Sequence, residues 1–84
     1  MININTIDNL VEQAIQANVE AYRKAEKDYY YWTEALTDPE CDPAKRTTYA
    51  EFKESSFAEF MAIKETLNIL FPNHKEEIFD GLTE

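Results

Sequence analysis

The sequence predicts an all-α protein: a long antiparallel helical hairpin followed by a short third helix, in one domain spanning residues 1–84. Three observations carry this. Apolar residues recur at steps of three and four through two segments of about 30 residues, the mark of one face of a helix. The helix-breaking residues fall only at Pro39, Pro43, Pro72 and Gly81, and so cut the chain into two long pieces and a short one. No run alternates apolar and polar residues, and no Asn-Gly or Asp-Gly turn joins two strand-like runs.

The first helix is expected over about 6–36. Ile7, Val11, Ala14, Asn18, Ala21, Ala25, Tyr29, Trp32 and Leu36 form its stripe. Thr6 or Asn5 supplies an N-cap, and Asp8 in the first turn suits the positive end of the helix dipole. The turn, about 37–42, lies in "TDPECDP", because Pro39 and Pro43 each push the preceding residue out of helical geometry. Asp42 with Pro43 then reads as an N-cap followed by proline at the first helical position. The second helix, about 43–70, carries the stripe Tyr49, Phe52, Ser56, Phe60, Ile63, Leu67 and Leu70 until Pro72 stops it. Asn73 with Glu76 resembles a capping box opening a short helix at about 74–80, with Ile78, Phe79 and Leu82 apolar and Gly81 near its end.

Both long helices carry more apolar surface than one neighbour can cover. "YAEF" at 49–52 recurs as "FAEF" at 57–60, and eight residues advance a helix about 80° beyond whole turns, so Phe57 and Met61 flank the stripe. Ile15, Val19 and Tyr30 do the same on helix 1. The apolar sector reaches roughly 180–200°, against the 100° or so that one-sided burial needs. The third helix covers part of the excess; the rest is expected to meet a second copy or a foreign protein. Asn18, Ile15, Val19, Phe57 and Met61 are accordingly expected at a homodimer interface. Asn18 faces either its symmetry mate, as a lone seam asparagine does in coiled coils, or a polar group of its own chain.

"KDYYYWTEAL", residues 27–36, sets four aromatic rings in succession. At about 100° per residue they cannot share one core. Tyr29 and Trp32 lie on the stripe, with Trp32 expected opposite the small Ser55 and Ser56. Tyr30 and Tyr31 turn away. Arg23, Lys24 and Lys27 stand within reach of them for cation–π contact. Tyrosines turned outward beside carboxylates make Tyr30, Tyr31, Glu26 and Glu34 the expected partner-binding surface.

Charge bounds the partner. With 17 acids against 8 bases the chain carries a net charge of −9, which repels phosphate backbones and anionic membranes and attracts a larger protein with a basic surface. The acids are spread over Asp8, Glu12, Glu20, Glu26, Asp28, Glu34 and the turn, with a second group at Glu76, Glu77, Asp80 and Glu84.

Catalytic and cofactor patterns fail one by one. "DPECD" places Asp38, Glu40 and Asp42 as in a calcium loop, but Pro43 stands where that loop needs Gly and Tyr49 where it needs Glu. His74 has Phe71 three residues before it, not the Glu of a di-iron bundle. A single Gly, His and Cys leave no phosphate loop, triad or dyad, and Glu40 and Asp42 disfavour a Cys41 thiolate. The expectation is a non-enzymatic protein without metal or cofactor. The lone Cys41, the lack of a long apolar run and an opening stretch unlike a signal peptide point to a cytoplasmic setting.

In size, acidity and helical content the chain resembles small accessory proteins of phages and mobile elements, some of which block host defence proteins such as CRISPR effectors. The resemblance is one of composition and carries no residue with it. It implies an inhibitor or regulator that occupies a basic, nucleic-acid-binding site on a larger protein; the alternative is a homodimeric structural or adaptor bundle.

Overall fold

The computed structural model describes residues 4–83, with the side chains of residues 4 and 5 set aside. Helix α1 spans Ile4–Thr37, α2 spans Pro43–Leu70, a 3-10 turn covers Pro72–His74, and α3 spans Lys75–Thr83. The molecule measures 59 × 22 × 16 Å, the shape of a hairpin whose longer arm has 34 residues and a length of about 51 Å. The arms are antiparallel: Trp32 meets Tyr49 and Phe52 near the turn, Tyr29 meets Phe57 and Phe60 further down, and Ile15 packs with Leu67 near the open end.

The turn is held by its own polar groups. Asp38 Oδ1 accepts from the Glu40 N–H at 2.9 Å, the Cys41 N–H donates to the Asp38 carbonyl at 3.1 Å, and Asp42 Oδ1 accepts from the Ala44 N–H at 2.9 Å. Asp42 is thus the N-cap of α2 with Pro43 next to it, as expected. Arg46 reaches back from α2 to the carbonyls of Leu36 and Asp38, supplying a cation at the negative end of α1.

The ends depart from expectation. α1 already includes Asn5 and Thr6, so neither is its N-cap, and the residue before the helix lies outside the described residues. Asp8 is consequently past the first turn. Asn73 sits inside the 3-10 turn and caps nothing: Pro72 forces Phe71 to an extended φ of −127°, the His74 N–H returns to the Phe71 carbonyl at 3.1 Å, and α3 follows directly. His74 Nδ1 lies 3.2 Å from Glu77 Oε2 instead. α3 runs on to Thr83 and includes Gly81.

Two clusters form the core. Ile15, Val19, Leu67 and Ile78 are buried at the open end, and Tyr22, Ala25 and Phe60 midway, with Ile63 and Leu82 touching both. α3 therefore runs beside α1 in the same direction, in the groove between the two arms. Its position corrects part of the expected interface: Ile15 and Val19 flank the α1 stripe, but Ile78 covers them within the chain. Ile7 and Ala21 lie on the expected stripe of α1 yet are exposed, because its core rotates toward Ile15 and Val19, where α3 sits; Phe52 and Leu70 on the α2 stripe are exposed as well.

Asn18 is half-buried and donates to the Ala14 carbonyl of its own helix at 2.8 Å. Of the two expected partners, it bonds within its own chain. That carbonyl stands four residues back, in helical register, so Asn18→Leu strands no partner. The exchange should raise stability by about 0.5 kcal/mol through helix propensity and added apolar contact, read as a rise of about 2–4 °C in melting temperature. A fall would show that Asn18 holds more than one turn of its own helix.

Candidate protein-binding surface

The aromatic run resolves into two anchors and two outward rings. Tyr29 lies in the seam, its ring centre 5.6 Å from Phe57 and 5.5 Å from Phe60, with Lys53 Nζ 5.7 Å above it. Trp32 lies one turn nearer the loop, 5.1 Å from Tyr49 and 4.9 Å from Phe52. It meets aromatic rings, where the small Ser55 and Ser56 were expected. Tyr30 leans edge-on against Tyr29 at 5.5 Å and Tyr31 against Trp32 at 4.9 Å. The outward tyrosines are 59% and 63% exposed, yet each is braced by a ring that is itself held in the seam. Such rings lose little conformational freedom when a partner covers them.

The four expected binding residues do not form one patch. Glu26, Tyr30 and Glu34 follow at four-residue steps and make one ridge along α1. Tyr31 points about 100° further round the helix. Glu26 is half-buried, and its carboxylate lies near enough to the Tyr22 hydroxyl to raise that group's pKa. Of the cations expected beside these tyrosines, Arg23 donates through Nε to the Gly81 carbonyl at 2.9 Å, and a cation–π contact not anticipated is that of Lys53 with Tyr29.

Burial, foremost, and the Glu26 carboxylate push the Tyr22 hydroxyl above its ordinary pKa of 10.0. A proton held more tightly in the folded state stabilises it below the unfolded pKa, and that stabilisation is lost as pH rises through the folded value. Unfolding free energy should therefore decline above about pH 10, and Tyr22→Phe should flatten the decline. An unchanged slope in denaturant titrations of the variant would assign the alkaline loss to other groups.

Phe57 and Met61, expected at a dimer interface, are 46% and 44% exposed on α2. An open cleft of about 370 Å³ lies beside Phe57, lined also by Tyr29, Leu36, Ala50, Lys53 and Glu54. Neither this cleft nor the part played by Lys53 and Glu54 was anticipated; the signal available was the line Phe57, Met61, Lys64, Asn68 at helical spacing. Asp38 and Asp42, the nearest approach to a metal loop, are occupied as caps. Among the described residues no three of His, Cys, Asp and Glu come together as a metal site, and no helix is long and apolar enough to cross a membrane.

The chain is thus an all-helical protein, two long helices packed as a hairpin with a short third helix in their groove. Comparisons with family models, curated proteins and solved structures give no match to it.

Proposed function

We propose that this is a non-enzymatic protein-binding protein that occupies a basic surface on a larger protein as an inhibitor or regulator. One observation carries the reading: the exposed Tyr30, braced from behind by Tyr29, shares a ridge with the carboxylates Glu26 and Glu34, and the exposed Tyr31, braced by Trp32, opens about 100° round the same helix, on a chain of net charge −9. Rigid tyrosines supply contact area at low entropic cost, and the carboxylates steer and orient a cationic partner. A basic surface that otherwise holds nucleic acid, in a cytoplasm shared with a phage or mobile element, is the target this chemistry suits.

The test is a pull-down from host lysate at about 0.1 and 1 M salt, between which the Debye length falls from about 10 to 3 Å. Wild type should capture a basic protein at low salt and release it at high salt. Tyr30→Ala combined with Tyr31→Ala should keep the helical circular dichroism of the wild type and lose the partner. Capture of the same protein by both baits, indifferent to salt, would remove the tyrosines and the acidic surface from the mechanism.

A second reading, a homodimeric adaptor, is favoured by one observation: Ile69 and Phe79 are 67% and 66% exposed, and Leu70, next to Ile69 in the chain, is exposed as well. Light scattering at micromolar concentration separates the readings, since the adaptor must be dimeric without any partner.

A further inference from the structure

α3 fills only part of the groove it occupies. On α1 the line Ile15, Val19, Arg23 lies under α3: Ile78 packs on the first two, and Arg23 bonds the Gly81 carbonyl. The same face continues as Glu26 and Tyr30. On α2 the line Phe57, Met61, Lys64, Asn68 follows helical spacing; Lys64 and Asn68 border α3 together with Ile78, Phe79 and Leu82. Phe57 and Met61 do not line the cleft beside α3 and are nearly half exposed. The hairpin is a three-helix bundle in which the third position is filled along the open end and vacant toward the turn.

The vacant stretch has the dimensions of a helix site. From Lys24 to Thr37 it is about 21 Å long, room for about 14 helical residues. Its floor is Tyr29 and Phe60, its walls are Tyr30 on one arm and Phe57 and Met61 on the other, and the cleft of about 370 Å³ lies at its turn end. Its rim is acidic: Glu26 and Glu34 on α1, Glu54 on α2. Of the cations along it, Lys53 lies over the Tyr29 ring, Arg46 at the turn end donates to the Leu36 and Asp38 carbonyls, and Lys27 lies seven residues before Glu34 on α1.

We infer that this half-groove binds a short amphipathic helix, apolar on one face and flanked by Lys or Arg, presented by the partner protein. This deepens the proposed function and rests on it, naming the element of the basic partner that is gripped. Continuity with the seam of α3 sets the geometry, since a helix in line with α3 extends contacts the fold already makes. Charge complementarity sets the occupant: an acidic rim on a chain of charge −9 disfavours a second copy and favours a basic helix. The recognition is that of a helix in a groove, with anchors at i, i+3, i+4 and i+7.

The probe is a synthetic 14-residue helical peptide with Leu at those anchor positions and Lys at the flanks, titrated into the isotopically labelled full chain; a Glu-flanked peptide is the comparison. The Lys peptide should shift the resonances of Tyr30, Phe57 and Met61 and bind at least about tenfold more tightly than the Glu peptide. Met61→Lys, on the groove wall, should weaken it by a similar factor, whereas Thr66→Lys, exposed on another face of α2, should leave it unchanged. Circular dichroism confirms that both variants fold. Equal binding of the two peptides, shifts centred on Ile69 or Tyr31, or no binding at millimolar peptide would each overturn the inference. So would a dimer of the chain alone sealed by Phe57 and Met61. These failures are separable from failure of the proposed function, because salt-sensitive capture of a partner through Tyr30 and Tyr31 can persist when the half-groove takes no helix.

Discussion

Phe60→Ala should lower the free energy of unfolding by about 3–5 kcal/mol, as removal of a buried phenyl ring does. Phe60 is buried and meets three rings: Tyr22 at 5.4 Å, Tyr29 at 5.5 Å and Phe57 at 5.2 Å, all but edge-on. Edge-to-face pairs at such distances add to the transfer free energy of the ring. Deleting the side chain opens a cavity at the middle of the hairpin, between Tyr22 and Tyr29 on one arm and Phe57 on the other. A domain of 84 residues has a total stability of roughly 4–13 kcal/mol, so the variant should be largely unfolded at moderate urea. Phe79→Ala, by contrast, removes a ring that is mostly in water and should change stability by no more than about 0.5 kcal/mol. Equal losses in the two variants would mean that the core does not centre on Phe60.

Gly81→Val should detach α3. A Cβ at position 81 would stand 3.1 and 3.2 Å from the two γ-methyl carbons of Val19, closer than nearly all such contacts, and a β-branched side chain cannot turn all of its atoms away. Glycine inside a helix ordinarily costs up to about 1 kcal/mol relative to alanine. Here it is used for close approach: it lets α3 settle onto Val19, so that Ile78 reaches Ile15 and Leu67 and Arg23 can bond the Gly81 carbonyl. A nine-residue helix does not persist in water by itself, so lifting it off should unfold it. The expected loss is about 2–4 kcal/mol, that of exposing one buried Ile and its neighbours. Hydrogen exchange of residues 75–83 should rise toward the unfolded rate while the amides of α1 and α2 near Tyr22 and Phe60 stay protected. Val19→Ala added to Gly81→Val should restore part of the protection, since it removes the atoms that clash. Undiminished protection in the single variant would show that Gly81 is not a packing requirement.

The elements were legible because local rules govern them. Asp42, Pro43 and Pro72 act on their own backbone and its nearest hydrogen bonds, so the turn and the end of α2 fall where the residues put them. The start of α3 was misread, since Asn73 has a capping residue's chemistry but Pro72 draws it into a 3-10 turn. Periodicity found the middle of the α2 stripe, Ser56, Phe60 and Leu67, which are buried. It also placed Tyr30 and Tyr31 outside, because helical rotation alone decides that neighbours of a core residue point elsewhere.

By itself, then, the sequence determined the helices, their pairing as a hairpin and the excess of apolar surface, all consequences of spacing and of breakers acting within a few residues. Only the tertiary structure decided who covers that excess. Ile15 and Val19 on the one hand, and Phe57 and Met61 on the other, look alike in the sequence, as apolar positions beside a stripe. α3 folds back over the first pair and stops short of the second, so one pair is core and the other an open wall. The difference rests on contacts between residues about sixty positions apart, Val19 with Gly81 and Ile15 with Ile78, which no local pattern encodes. For the same reason no local pattern foretold that Arg23, placed by spacing beside the tyrosines, reaches the carbonyl at the end of α3, where unsatisfied backbone acceptors collect.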